Sequence, residues 1–124
     1  MVEVGVKYKI ETRVDEAITA RSIGSGLLEV LSTPSMIALM ERSAHLSVLP
    51  YMENGFDTVG TEVSIRHLRA TPMGSQVYAE CELIEVNGRE LIFKVAAFDD
   101  KGAIGEGIHK RFIIDVQKFS DKLK

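Results

Sequence analysis

The chain has no tryptophan, one cysteine, three prolines and only three histidines among its 124 residues, and aromatic side chains make up 6% of it. One cysteine excludes an internal disulfide and cannot by itself form a thiolate metal site. Cys81 lies between Glu80 and Glu82 in an alternating run, which suits a buried structural thiol better than a nucleophile. The histidines stand at positions 45, 67 and 109, a spacing that matches no known ligand pattern, so no metal is expected. There is no excess of base either. Fifteen Lys and Arg against eighteen Asp and Glu leave a formal charge of -3, without the broad positive field that a nucleic-acid partner requires. No apolar run approaches the roughly 20 residues that span a bilayer. The opening Met1-Val2-Glu3-Val4-Gly5 has no basic stretch followed by an apolar one. The expectation is therefore a cytoplasmic protein with no membrane partner.

What is present is a 45% apolar chain, enough for one domain, 1–124, with a real core. Residues 2–12 mix Val, Tyr, Ile and Thr with Glu and Lys, as a half-exposed first strand does. Val14 to Ser32 reads as an irregular segment with a short helix, interrupted by Gly24-Ser25-Gly26. Those glycines lack the Lys-Ser/Thr and the strand-loop-helix setting of a phosphate loop. Thr33-Pro34 predicts a helix start, with Thr33 capping and Pro34 at the first helical position, and the helix should run to about Leu49. Its apolar arc holds Met36, Ile37, Leu39, Met40, Ala44, Leu46 and Val48, with Glu41 on the margin and Arg42 and His45 outside it.

Beyond Gly55 the period changes to two. Val59, Val63, Ile65 and His67 should share one face, as should Val77, Ala79, Cys81 and Leu83, then Leu91, Phe93, Val95 and Ala97. Ile104, Ile108, Phe112, Ile114 and Val116 complete the set. Asn87-Gly88 signals a tight hairpin and Asp99-Asp100-Lys101-Gly102 a longer turn. The order of strand, helix and four turn-linked strands makes the fold class α+β with an antiparallel sheet. Phe119 to Lys124 reads as a loose tail.

Three polar residues stand out. Glu41, beside apolar neighbours, is a partly desolvated carboxylate suited to activating water or attacking a carbonyl; the structural alternatives are a pair with His45 or a plain surface charge. His67, in phase with Val63 and Ile65, either handles protons or is a core histidine held by a backbone group. Thr33 is a cap whatever the protein does, yet a helix start also offers free amides and partial positive charge to a developing oxyanion.

The segments Val30-Leu31-Ser32-Thr33-Pro34 through Leu39-Met40-Glu41, and Gly60-Thr61 through His67-Leu68-Arg69-Ala70-Thr71-Pro72, resemble the fluoroacetyl-CoA thioesterase group of hotdog-fold proteins. Pro72-Met73-Gly74, Val86-Asn87-Gly88-Arg89 and Gly105-Glu106-Gly107-Ile108-His109-Lys110-Arg111 extend the resemblance across roughly Gly24 to Ile114. It implies a curved five-stranded antiparallel sheet wrapped around a central helix, working as a homodimer with its site at the subunit interface. It further implies acyl-CoA thioester hydrolysis with catalytic Thr33, Glu41 and His67, with Gly60 offering an amide to the acyl group and with no cofactor beyond water. Arg66, Arg69, Lys110 and Arg111 are available for the CoA phosphates. The fluoroacetyl-specific member carries a phenylalanine gate, whereas Gly24 to Glu29 contains no Phe here, so a broader acyl substrate is implied. The alternatives are a noncatalytic acyl-CoA sensor and, less favoured for want of its Asp/His motif, a hotdog hydratase.

Overall fold

In the computed structural model, which describes residues 2–124, the chain runs β1 (Lys7–Arg13), α1 (Ala20–Ile23), α2 (Thr33–Val48), β2 (Phe56–His67), β3 (Gln76–Asn87), β4 (Glu90–Asp99), β5 (Gly102–Asp115) and α3 (Val116–Asp121). The strands make one sheet in the order β1-β3-β4-β5-β2, and every neighbouring pair is antiparallel. The long helix α2 packs across β1, β2, β3 and β4, which is the helix-wrapped sheet expected from the sequence.

The helix forms where expected, but its cap is Ser32. The Ser32 hydroxyl accepts a hydrogen bond from the Ser35 amide, Thr33 is already the first helical residue, and Pro34 follows within the first turn. Thr33 is thereby released from capping. Helix α2 buries Met36, Leu39, Met40, Ala44 and Val48 with Ser43 and Ser47, while Ile37 and Leu46 are only half-buried. The two serines tolerate burial because each hydroxyl donates to a carbonyl one turn back, Met40 and Ala44 respectively. Against this face lie the inward residues of β3 and β4, including Leu83, Leu91 and Phe93, all fully buried. A fully buried side chain such as Phe93 contributes about 1.5–3 kcal/mol of hydrophobic stabilisation.

Alternation read straight along the chain fails on two strands. In β2 the pairing with β5 shifts between Gly60 and Glu62, so an extra residue separates the two halves of the strand. Val59, opposite Phe112, therefore faces away from the helix while Val63, opposite His109, faces it; the four residues expected on one face are divided. In β5 the buried side chains after Ile104 are those of His109 and Arg111, and Phe112 is 40% exposed. The apolar set Ile108, Phe112 and Ile114 marks the outer face, because the inner face of this strand holds the buried His109 and Arg111. Gly88 and Arg89 form the β3–β4 loop, with Gly88 at φ +62, a left-handed conformation that glycine adopts without steric cost. Part of the tail expected to be loose is helical, since Asp115 caps α3 by accepting from the Lys118 amide.

Candidate active site

Helix α2 and strand β2 bring the polar residues together as two clusters rather than one. At the start of α2 the Thr33 hydroxyl lies 2.7 Å from His67 Nδ1. His67 Nε2 is buried and has no hydrogen-bond partner among the described residues. Burial holds the His67 imidazole below its ordinary pKa, opposed by the backbone carbonyl of Arg69, so the resting ring is neutral near pH 7. An open hollow of about 380 Å³ adjoins this pair, lined in part by Leu31, Ser32, Leu68 and Arg69.

Glu41 stands two helical turns further on, about 12 Å along the axis from Thr33. Its Oε2 is 3.9 Å from both Arg111 Nη1 and His109 Nε2, and its side chain remains 40% exposed. The cation beneath it is held on three sides. Arg111 donates Nε to the Thr58 hydroxyl, Nη2 to the Thr58 carbonyl and Nη1 to His109 Nε2. Because that nitrogen accepts, the His109 proton resides on Nδ1, which donates to the Glu62 carbonyl. Burial, and secondarily the Arg111 charge, keep His109 below its ordinary pKa. Burial also pulls Arg111 down, against the attraction of Glu41 and Asp57. Gly60 makes the arrangement possible: a Cβ there would come within 2.6 Å of Glu41 Oε2 and 3.2 Å of His109 Cε1.

The remaining expectations divide similarly. His45 pairs with Asp57 at 2.8 Å instead of with Glu41. Arg69 turns to the buried Asp99, with contacts of 2.7 and 3.2 Å. Lys110 lies 3.7 Å from Glu62 on the outer face. Arg111, taken from the sequence as a phosphate contact, is 8% exposed in its side chain and faces Glu41. The Cys81 thiol is buried, and burial pushes its pKa up, as befits an unreactive structural residue. Among the described residues no three His, Cys, Asp or Glu side chains gather in a metal-holding group. Among the residues of the Glu41 cluster, sequence reasoning missed Thr58 and gave His109 little weight; the signal for His109 was its alternation with Arg111 along β5.

A family model described as fluoroacetyl-CoA-specific thioesterase matches residues 14–117. The fluoroacetyl-CoA thioesterase of Streptantibioticus cattleyicolor is 38% identical over 96 residues, covering 77% of this chain and 69% of that one. A solved structure of a fluoroacetyl-CoA thioesterase variant in complex with acetyl-CoA superposes with a TM-score of 0.93 at 32% identity, covering 98% of this chain and 96% of the other. A hot-dog-like protein from Thermanaerovibrio acidaminovorans, 20% identical with a TM-score of 0.89 over 97% and 89% of the two chains, shares the fold. The fold and these matches together define a hotdog-fold thioester hydrolase. Within that class the chain belongs to the fluoroacetyl-CoA-specific thioesterase family.

Proposed function

We propose that residues 1–124 act as one hotdog domain that hydrolyses a small acyl-CoA to the free acid and CoA, with Thr33, Glu41 and His67 as its catalytic groups. The observation that carries this reading is Glu41, a carboxylate open to solvent on one side and backed by a buried Arg111 on the other. It activates water for attack on the thioester carbonyl, or attacks that carbon itself. The Gly60 amide beside Glu41, and the Thr33 hydroxyl brought to it from a second copy of the chain, bind the carbonyl oxygen as it gains negative charge. His67 engages Thr33 through Nδ1 and keeps Nε2 free. Since the resting ring is neutral, the proton it passes to the departing thiolate is the one that Glu41 removes from the attacking water; where Glu41 itself attacks, the thiolate takes its proton from solvent through the ring. The one cysteine, buried and unpaired, agrees with a reducing, cytoplasmic setting. Release of thiol from a panel of acyl-CoAs differing in chain length and α-substituent identifies the acyl group. No turnover across that panel would overturn the reading.

The separation of the two clusters supports a homodimer. Strand β2 is an edge of the sheet, and Gly60 to Ser64 are exposed along it. Antiparallel pairing of β2 with its own copy, centred near Val63, sets Gly60 opposite Arg66 and carries His67 of one copy toward Glu41 of the other. Complementation tests this. Glu41→Gln and His67→Asn chains, each inactive alone, should regain up to about a quarter of wild-type activity when co-expressed, because a mixed dimer keeps one intact site in two. Absence of any recovery in a proven mixed dimer would place the whole site within one chain.

A further inference from the structure

The loop that follows β2 begins next to His67 and is anchored on a buried carboxylate. Asp99 closes β4 with its side chain 1% exposed and receives three side-chain donors: Arg69 Nη2 at 2.7 Å, Arg69 Nη1 at 3.2 Å and the Thr71 hydroxyl at 2.9 Å. The Lys101 amide adds a fourth bond at 2.8 Å, and Arg69 also reaches the Gly102 carbonyl. Burial raises the Asp99 carboxyl, but Arg69, the Lys101 amide and Thr71 more than offset this and hold it below its ordinary value, so it is a fixed anion at neutral pH.

The same loop supports both members of the Thr33–His67 pair. Leu68, next to His67, donates its amide to the Ile104 carbonyl at 2.7 Å. Thr71 accepts at its carbonyl from the Leu31 amide at 2.8 Å, and Met73 donates to Glu29. Leu31 lies two residues before Thr33 and one before the helix cap. Asp99 thus fixes the loop from which the imidazole and the hydroxyl are both suspended. Arg69 lies two residues beyond His67 with its guanidinium on Asp99.

We propose that Asp99, Arg69 and Thr71 form a clamp that positions the Thr33–His67 pair, and that Arg69 serves the reaction through this clamp and not as a contact to the CoA phosphates. The inference rests on the assignment of Thr33 and His67 to catalysis, yet part of its test is independent of turnover. The Arg69 guanidinium is already engaged, and one committed to a buried anion is poorly free to reach a phosphate. Clamping matters because misplacing a catalytic group by about 1 Å costs on the order of a hundredfold in rate.

Arg69→Met and Asp99→Asn separate the possibilities. With a clamp, each lowers kcat at least about tenfold while KM for acyl-CoA changes little. Each also raises the His67 pKa toward its ordinary value as the ring gains solvent, followed by NMR titration of the imidazole with no substrate present. Among the described residues no carboxylate pairs with that ring, so Arg69 and the neutral Thr33 are the groups that face it. Thr71→Ser, which keeps the hydroxyl, should leave both readouts near wild type and guards against simple misfolding. A phosphate contact predicts the reverse: Arg69→Met raises KM at constant kcat, and Asp99→Asn, by freeing Arg69, lowers KM. Either of those outcomes, or an unmoved His67 titration in both variants, overturns the clamp. Should the enzyme prove inactive on every acyl-CoA, the His67 titration still decides the clamp by itself.

Discussion

The two ends of the site are built on opposite principles. Around Glu41 the structure uses charge: a buried guanidinium, a buried neutral imidazole and a carboxylate that is left partly in water. Around Thr33 it uses neutral hydrogen bonds, a hydroxyl on an imidazole at the start of a helix, with the charge kept a residue or two away on Asp99 and Arg69. A buried charge needs partners in fixed places or its desolvation is uncompensated, so Arg111 is tied to Thr58, His109 and Glu41 together. A neutral pair carries a smaller penalty: Thr33 is exposed and the His67 ring is partly buried with Nε2 unpartnered among the described residues. What this contrast teaches is that the charged end is set by side-chain packing and the neutral end by the loops that suspend it.

Removing the carboxylate is the severest test of the charged end. Glu41→Gln keeps the shape but loses the base or nucleophile, so acyl-CoA hydrolysis should fall by at least about a hundredfold. Its melting temperature should fall as well, since Arg111 keeps its burial and loses its anion. Unchanged turnover in a thiol-release assay would return Glu41 to the status of a helix-surface charge.

At the neutral end, structure and chemistry reside on adjacent residues and are separable. Ser32→Ala removes the cap and should cost roughly 0.5–2 kcal/mol of stability. Thr33→Ala leaves the cap intact and should lower turnover about tenfold or more through loss of an oxyanion donor, with little change in melting temperature. Melting curves and turnover for the two variants check this, and activity that merely tracked stability across the pair would deny the Thr33 hydroxyl a chemical role.

The smallest effect is on pH. His67 and His109, one at each end, both have folded pKa values below the ordinary 6.5 because burial favours the neutral ring. A depressed folded value means that the unfolded chain binds the proton first. The stability gained by keeping these rings neutral is complete above about pH 6.5 and is lost as pH falls through the lower folded values. Asp57 and Asp99, also held below their ordinary 3.8, begin to contribute to acid loss only in a more acidic range. Melting temperature should therefore begin to decline just below pH 6.5. His109→Gln should flatten that first decline in part, leaving the share due to His67. A melting temperature that stayed level from pH 7 to pH 5 would contradict the buried-neutral assignment of both.

Elements with strong local signals were legible from the chain alone. Thr33-Pro34 announced the start of α2, though with Thr33 in place of Ser32 as the cap, Asn87-Gly88 a tight hairpin, and the alternation from Val77 to Ala97 gave β3 and β4 with their inward faces correct. The family resemblance also singled out Thr33, Glu41 and His67, though their arrangement as two clusters was not visible in it. Failures arose where local pattern and tertiary environment disagree. An extra residue near Thr61 resets the face of β2, and nothing in local hydrophobicity marks it. Ile108, Phe112 and Ile114 of β5 point outward because the alternate inward positions hold the Arg111 network.

By itself, then, the sequence determined the element types, their order and the residues able to do chemistry, because helix period, strand period and capping are short-range properties of a chain. Only the tertiary structure decided which partner each polar group takes. Arg69 settles on Asp99, Arg111 beneath Glu41 and His45 on Asp57, and each of these pairings joins residues from separate elements. Such choices follow from which groups lose their water together when helix and sheet close, and that burial exists only once the whole chain has folded.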